Sequence, residues 1–310
     1  MKISTSLLFN RAADKMSTVQ GQLVKSQAQL ATGRQVEKPS DAPNQAAAIA
    51  RLNSLQVRHD SYLSNMNLIK TRLQLEEGGV ANSVNLLHRV KELVVQASND
   101  TVSASDRLSI AAELNGLREE LLSTANTQDT TGNYLFAGSR VGQPPFVPPE
   151  DDPQGTPLYQ GDQTLMEVMV GDQRSLPINR PGSEVFVRVL RSDGGEQSQG
   201  VGFFEAFDDI VDAIKSSDKV RMQRANGEVE QMLDGLILAQ ANIGSDQAIL
   251  DRQSTIAEDI LLTLKQTLSG VQDLDYAKAI SAMNKQMLSL EAAQSSFSKV
   301  SQLSLFNYLR

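Results

Sequence analysis

Apolar residues recur along most of this chain at alternating steps of three and four, the spacing of a helix that buries one narrow stripe. After Pro43 the stripe runs through Leu52, Leu55, His59, Tyr62, Met66, Ile69 and Leu73. It skips one beat and resumes at Val80, Val84, Leu87, Val90, Val94 and Ala97. One helix over residues 44 to 99 would be about 84 Å long at ~1.5 Å per residue, too long to wrap a small core. A second stripe passes through Val229, Leu233, Leu236, Gln240, Ile243, Gln247, Leu250, Ser254, Ala257, Leu261, Leu264, Leu268 and Val271. It is the expected antiparallel partner of the first. Between them Ile110, Leu114, Leu117 and Leu121 mark a shorter helix, opened by Ser103 with Asp106 three residues on as a capping box. Three such helices suffice for a rod-like bundle.

Both ends carry further stripes. Met16, Val19, Leu23 and Leu30 lie sparsely among Ser, Thr, Gln and Lys, and Thr32-Gly33 supplies a stop, with Gly33 suited to the left-handed C′ position. In Lys38-Pro39-Ser40-Asp41-Ala42-Pro43 the first proline blocks helix continuation, Ser40 or Asp41 offers a cap, and Pro43 fits the next first turn. At the other end Asp273-Leu274-Asp275 interrupts the long stripe and starts a last helix. Its apolar positions are Met283, Met287, Leu290, Ala293, Phe297, Val300 and Leu303, followed by Leu305 and Phe306. Helices of this length draw most of their stability from packing. Both arms are therefore expected to be mobile in a free monomer and to become ordered against each other and against neighbouring copies.

The period changes between 141 and 200. Leu165 to Val170 and Glu184 to Leu190 alternate as strands, the second with Val185, Val187 and Val189 on one face. Gly161-Asp162, Gly171-Asp172, Pro181-Gly182 and Asp193-Gly194-Gly195 are turn signals, and Pro144, Pro145, Pro148, Pro149 and Pro153 read as a stiff entry linker. The expected fold class is mainly α with an inserted small β domain, on a long coiled-coil-like helical bundle formed by the N- and C-terminal halves. Its expected parts are terminal arms (1–42 plus 273–310), a central bundle (43–140 plus 201–272) and an outer β domain (141–200).

Composition narrows the function. Without Cys, disulfides, thiol catalysis and thiolate metal sites are all ruled out, and the two histidines, His59 on the seam and His88 beside it, read as structural. No metal, no cofactor and no catalytic residue is expected. A formal net charge of -8 argues against nucleic acid, which needs a basic face. The charge is uneven: residues 1 to 40 hold six basic and two acidic side chains, whereas 141 to 200 hold four basic and nine acidic. No segment approaches the ~20 apolar residues of a membrane span, so no membrane partner is expected. The patch at Leu7, Leu8 and Phe9 is too short for a secretion signal, so departure from the cytoplasm would need another route.

Two sets of residues invite an enzymatic reading. Glu150, Asp151, Asp152, Asp162, Glu167 and Asp172 could supply an acid and base for sugar cleavage, but they fall in a Pro-rich linker or at turns, where solvent keeps carboxylates ordinary. Gly200-Val201-Gly202, before the Phe203, Phe207, Ile210, Ile214 helix, lacks the third glycine of a dinucleotide fingerprint and reads as a turn back into the bundle. Asn99-Asp100-Thr101 matches a glycosylation triplet, a match too short to carry weight.

Five segments together resemble the hook-associated protein 3 family of the bacterial flagellum, relatives of flagellin. They are the opening Met1-Lys2-Ile3-Ser4-Thr5, Gln29-Leu30-Ala31-Thr32-Gly33-Arg34, Pro39-Ser40-Asp41-Ala42-Pro43, Asn133-Tyr134-Leu135-Phe136-Ala137-Gly138, and Lys299 to Phe306. Ala42 departs from the pattern, since the family often has a second Asp there. The resemblance implies terminal helices paired as a tube-lining layer, long helices around it, and a β domain pointing outward. It also implies the partners: other copies in a ring, a hook-side junction protein, flagellin, and an export chaperone on the C-terminal arm. The location implied is the extracellular flagellum, reached by type III export without signal cleavage. Met16, Val19, Leu23, Leu30, Met283, Met287, Leu290, Phe297, Val300, Leu303, Leu305 and Phe306 are the expected assembly surface. Flagellin itself is the nearest alternative, and an extracellular hydrolase housed in 141–200 the remote one.

Overall fold

The skipped-beat stripe folds as α2 (Pro43–Ala97), a helix of 55 residues, in a computed structural model that describes residues 2–152, 155–191 and 199–306. Its predecessor is α1 (Lys2–Thr32); α3 (Ala104–Ala125) follows, and after the insert come α5 (Phe203–Ser216), α6 (Lys219–Gln272) and α7 (Tyr276–Phe306). Among its described residues the insert holds six short strands and a single helical turn, α4 (Gly182–Val185). The expected turn at 193–195 and the closing 307–310 lie outside the described residues, as do the side chains of Val300, Leu303, Leu305 and Phe306.

Two compact units are present, Met1–Asp60 with Asp259–Arg310, and Ser61–Glu258. In the second, Tyr62, Met66, Ile69, Leu73, Val80, Leu87, Val90, Val94 and Ala97 of α2 are buried, and Val229, Leu233, Leu236, Ile243, Leu250 and Ala257 of α6 are buried as well. Lys91 pairs with Glu230 at 2.8 Å, Gln247 donates to Glu77 at 2.8 Å, and Lys70 pairs with Asp251 at 2.8 Å. Numbers fall along α2 as they rise along α6, so the two run antiparallel. Ile110, Leu114 and Leu121 of α3 join this core, and Ser103 caps α3 by accepting from the Asp106 amide at 3.2 Å. The reciprocal half of the box is altered: the Ser103 hydroxyl donates to the Asp106 carboxylate at 2.7 Å.

Starts and stops elsewhere follow local chemistry. Gly33 takes φ 68° and its amide donates to Gln29 O at 2.8 Å, the left-handed stop. Pro43 begins α2, but neither Ser40 nor Asp41 is the capping residue: the first helical bond runs from Ala46 N to Ala42 O at 2.9 Å, and Asp41 pairs instead with Lys25 at 3.1 Å. Asp275 caps α7, its carboxylate accepting from Lys278 N at 3.1 Å.

The insert consists of three separate antiparallel hairpins rather than one sheet: β1 (Phe146–Val147) with β2 (Leu158–Tyr159), β3 (Glu167–Gly171) with β4 (Arg174–Pro177), and β5 (Val189–Arg191) with β6 (Gln199–Val201). Two-stranded hairpins are marginal alone. Each is tied to the bundle: Asn126 of the α3 cap brackets Phe146 with both amide atoms (2.8 and 3.0 Å), Asn65 donates to Met169 O (2.8 Å), and Gln231 accepts from Leu190 N (2.9 Å). The strand expected over Glu184 to Leu190 is absent. Gly182 to Val185 turn helically, with Phe186 N bonded to Gly182 O at 2.8 Å, and only Val189 onward is strand. Burial overrides the alternation, because both Val185 (0 %) and Phe186 (3 %) enter the core, where strand geometry would send one of them outward. Phe186 meets Phe136, Phe146 and Phe203 edge-on at centroid distances of 5.8, 5.3 and 5.3 Å.

Candidate assembly surface

On α1 the stripe that faces a partner helix is Ala12, Met16, Val19, Leu23, Ser26 and Leu30, each half-buried except Ser26, which is buried. The matching beats on α7 are Ala279, Met283, Gln286, Leu290, Ala293 and Phe297, all half-buried. The two helices pair: Ser26 Oγ donates to Gln286 Oε1 at 3.0 Å, Leu274 N to Gly33 O at 2.9 Å, and Gln35 N to Gln272 O at 2.8 Å, an antiparallel arrangement. Tyr276 closes the joint, its hydroxyl lying 2.8 Å from where a Cβ on Gly33 would stand.

The pairing brings Met16, Val19, Leu23 and Leu30 to the same seam as Met283, Leu290 and Phe297. Met287 sits on the neighbouring face at 50 % exposure, with Gln286 taking the inward beat. Ser26 and Gln286 were missed by apolar patterning; strict three-four spacing from Leu23 and Met283 would have found both.

This unit has almost no core. Among its described residues only Val36 and Leu261 are buried hydrophobics, with Ser26 buried beside them, whereas Leu7, Val24, Tyr276, Ile280, Met287 and Leu288 are 46 to 68 % exposed. A half-buried leucine recovers only part of the ~1.5–3 kcal/mol that complete burial brings. Ordering a helical backbone costs ~1–2 kcal/mol per residue. The apolar faces left open are thus attraction that the unit does not use within itself.

The carboxylates of the insert do other work. Asp162 accepts from Ser139 N (2.8 Å), from the Ser139 hydroxyl and from Thr164 N (3.1 Å), and the Ser139 bonds foremost hold its carboxyl down to about 2. A group so acidic neither donates nor takes up a proton near neutrality. Its role is to close the loop at Gly138, φ 70°, where a Cβ would fall 2.2 Å from Asp162 Oδ1. Glu167 is exposed and bonds Ser175 across its own hairpin. A groove of about 670 Å³ beside α3 and α5 is lined by Arg118, Asp208 and Thr156, which bond one another: Arg118 pairs with Asp208, and Thr156 Oγ1 donates to it at 2.7 Å. Among the described residues no cluster of His, Asp or Glu has the makings of a metal site, and no helix is long and apolar enough to cross a membrane.

Residues 3–140 match the family described as the bacterial flagellin N-terminal helical region. The chain is 26% identical to flagellar hook-associated protein 3 of Salmonella typhimurium over 325 residues, 100% of each chain. It is 20% identical over 302 residues to a flagellin of Listeria monocytogenes, covering 97% of this chain and 96% of that one. In fold it is similar to the solved structure of flagellar hook associated protein-3 from Legionella pneumophila, with TM-score 0.64 and 18% identity, over 72% of this chain and 98% of the other.

Proposed function

We propose that this chain is a member of the flagellin-related family of flagellar hook-associated proteins and is the structural adaptor joining the flagellar hook to the flagellin filament. It is a component of the external flagellum, and its work is geometric fit without chemistry. The observation that carries the reading is the collinear, end-to-end similarity to hook-associated protein 3 combined with a terminal helix pair whose apolar faces stay open.

Copies of the chain assemble as a ring through α1 and α7, with a hook-side junction protein on one side and flagellin on the other. Residues 1–42 and 273–310 form the assembly layer, 43–140 and 201–272 the central bundle, and 141–200 the outward domain. The arms order on assembly, in keeping with the near-absence of buried side chains among their described residues. Export proceeds through the type III route without signal cleavage, and a cytoplasmic chaperone covers the C-terminal arm, whose open faces would otherwise associate early.

A strain lacking the chain should build hooks and shed flagellin monomer into the medium. Complementation with the full chain should restore filaments, and complementation with a chain lacking 276–310 should not. Restored filaments from the truncated chain would end the adaptor reading. Flagellin is the second reading, favoured by the full-length likeness to the Listeria protein. Growth of long filaments from the purified chain alone would establish it. Amide exchange on a true monomer tests the arms separately: strong protection across 1–38 and 276–310 would contradict ordering on assembly.

A further inference from the structure

The skipped beat of α2 falls on Glu76, which is 1 % exposed. Arg72, Arg180 and Asp246 act on it from other turns and elements, and Asp129 lies beyond Arg72. Arg72, one turn earlier on α2, lies 3.4 Å away, and Arg180 of the insert reaches it at 3.9 Å. Arg180 also binds Asp246 of α6 at 2.6 Å, and Arg72 stands 3.8 Å from Asp129 in the loop after α3. Two guanidiniums thus serve three carboxylates.

Asp246 is matched to Arg180 at 2.6 Å, while Arg72 is divided between Glu76 at 3.4 Å and Asp129 at 3.8 Å. Thr131, the Asn133 amide and Arg72 hold Asp129 below the usual carboxylate range even against its partial burial. Arg72 spends its best bond elsewhere, donating from Nη2 to Leu135 O at 2.8 Å. Glu76 Oε1 is buried with no hydrogen-bond partner, and the facing Arg72 Nε and Arg180 Nε have none either. With every group ionised the cluster therefore holds one surplus negative charge, on the group with the poorest bonding. A buried unmatched charge is removed most cheaply by taking up a proton. Burial, the largest influence, accordingly raises Glu76 to about 7 against the pull of Arg72 and Arg180.

We infer that Glu76 is a proton-operated latch between the helical bundle and the inserted segment, closed while its carboxyl is neutral and loosened when it ionises. Neutral Glu76 leaves two balanced pairs, Arg72 with Asp129 and Arg180 with Asp246. Ionised Glu76 must find water, and in this proposal the 178–182 segment that carries Arg180 gives way, at the expense of the Ile178 amide bond to Met166 O and the Asn179 bonds to Thr164 O and Met166 N. That segment is read directly by the Gly182 amide, bonded to Phe136 O at 2.8 Å.

Sign follows from the two proton affinities. Glu76 binds a proton more tightly in the closed state, at about 7, than in an open, solvated one, at 4.5. Opening therefore becomes easier as pH rises from 4.5 through 7 and levels off above it. The limiting change is roughly 300-fold in the opening equilibrium, of which roughly 30-fold falls between about pH 5.5 and 8.5.

The test is hydrogen exchange at Gly182 in the full chain, corrected for intrinsic rate, in wild type and in Glu76→Gln. Protection that drops about 30-fold across this range in wild type and stays level in Glu76→Gln supports the latch. The same pH dependence in both chains overturns it. Should Glu76→Gln not fold, the carboxyl-carbon titration of wild-type Glu76 decides: a midpoint near 7 supports the proposal, and one near 4.5 refutes it.

Discussion

Replacing Leu87 and Leu23 separately by alanine sets the two compact units against each other. Leu87 is 0 % exposed on α2, inside the large core, so Leu87→Ala removes transfer energy and leaves a cavity, about 2–5 kcal/mol in all. In a unit of this size each kcal/mol shifts the midpoint by about 2–4 °C, so thermal unfolding should fall by about 4–20 °C. Leu23 lies half-buried on the α1 seam of a unit with two buried hydrophobics, Val36 and Leu261, among its described residues. Leu23→Ala should cost the free chain under ~1 kcal/mol, because little packing surrounds the site. On the proposed function its effect belongs to assembly. If neighbouring copies complete the burial, each copy forfeits ~2–3 kcal/mol, weakening each contact roughly 30- to 150-fold. Urea and thermal unfolding followed by circular dichroism read the first quantity; filament recovery in a strain lacking the chain reads the second. Leu23→Ala matching Leu87→Ala in destabilisation, or sustaining filaments unchanged, would refute the division of labour.

Glycines in α6 separate close approach from helix propensity. A Cβ on Gly235 would lie 2.2 Å from Val187 Cγ2, so Gly235→Ala should destabilise by ~1–3 kcal/mol, whereas Gly227, with open space around it, should gain ~0.5–1 kcal/mol as alanine; denaturant midpoints of both variants check the opposite signs. Gly33→Ala meets both φ 68° and the Tyr276 hydroxyl, and should cost ~1–2 kcal/mol in pairing of α1 with α7, read as faster exchange of the Leu274 amide. Asp162 titrates opposite to Glu76. Its folded value of about 2 lies below the usual 3.8, so its contribution is complete above 3.8 and is lost as pH falls through 2. Acid titration of Ser139 amide protection should show this loss in wild type and none in Asp162→Asn.

The helical part of the fold could be read from the chain because a long bundle repeats one rule. Every position of the predicted α6 stripe, from Val229 to Val271, is buried or half-buried, and the α2 stripe from Leu52 to Ala97 behaves the same way. The insert was harder because its side chains answer to the bundle rather than to each other. Val185 and Phe186 alternate as a strand would, yet both turn inward to reach the aromatic cluster around Phe136. Ala42 shows a related limit: Ser40 and Asp41 are good capping residues, but the first helical bond falls at Ala42, one residue past Asp41 and immediately before Pro43.

Polar residues at apolar beats carry the rest of the information. Gln247 interrupts the α6 stripe and bonds Glu77 of α2 at 2.8 Å. Ser26 and Gln286 interrupt the two terminal stripes and bond each other at 3.0 Å. Apolar beats attract without choosing, since sliding one helix by a heptad restores nearly the same contacts. A buried polar residue loses its partner on sliding, and an unpaired buried polar group costs ~1–3 kcal/mol. Those interruptions therefore set register, as a lone polar residue does in a coiled coil. For α1 and α7 this places the choice of alignment on Ser26 and Gln286, while Met16, Val19, Leu23, Leu30, Met283, Leu290 and Phe297 supply attraction that, on the proposed function, neighbouring copies share.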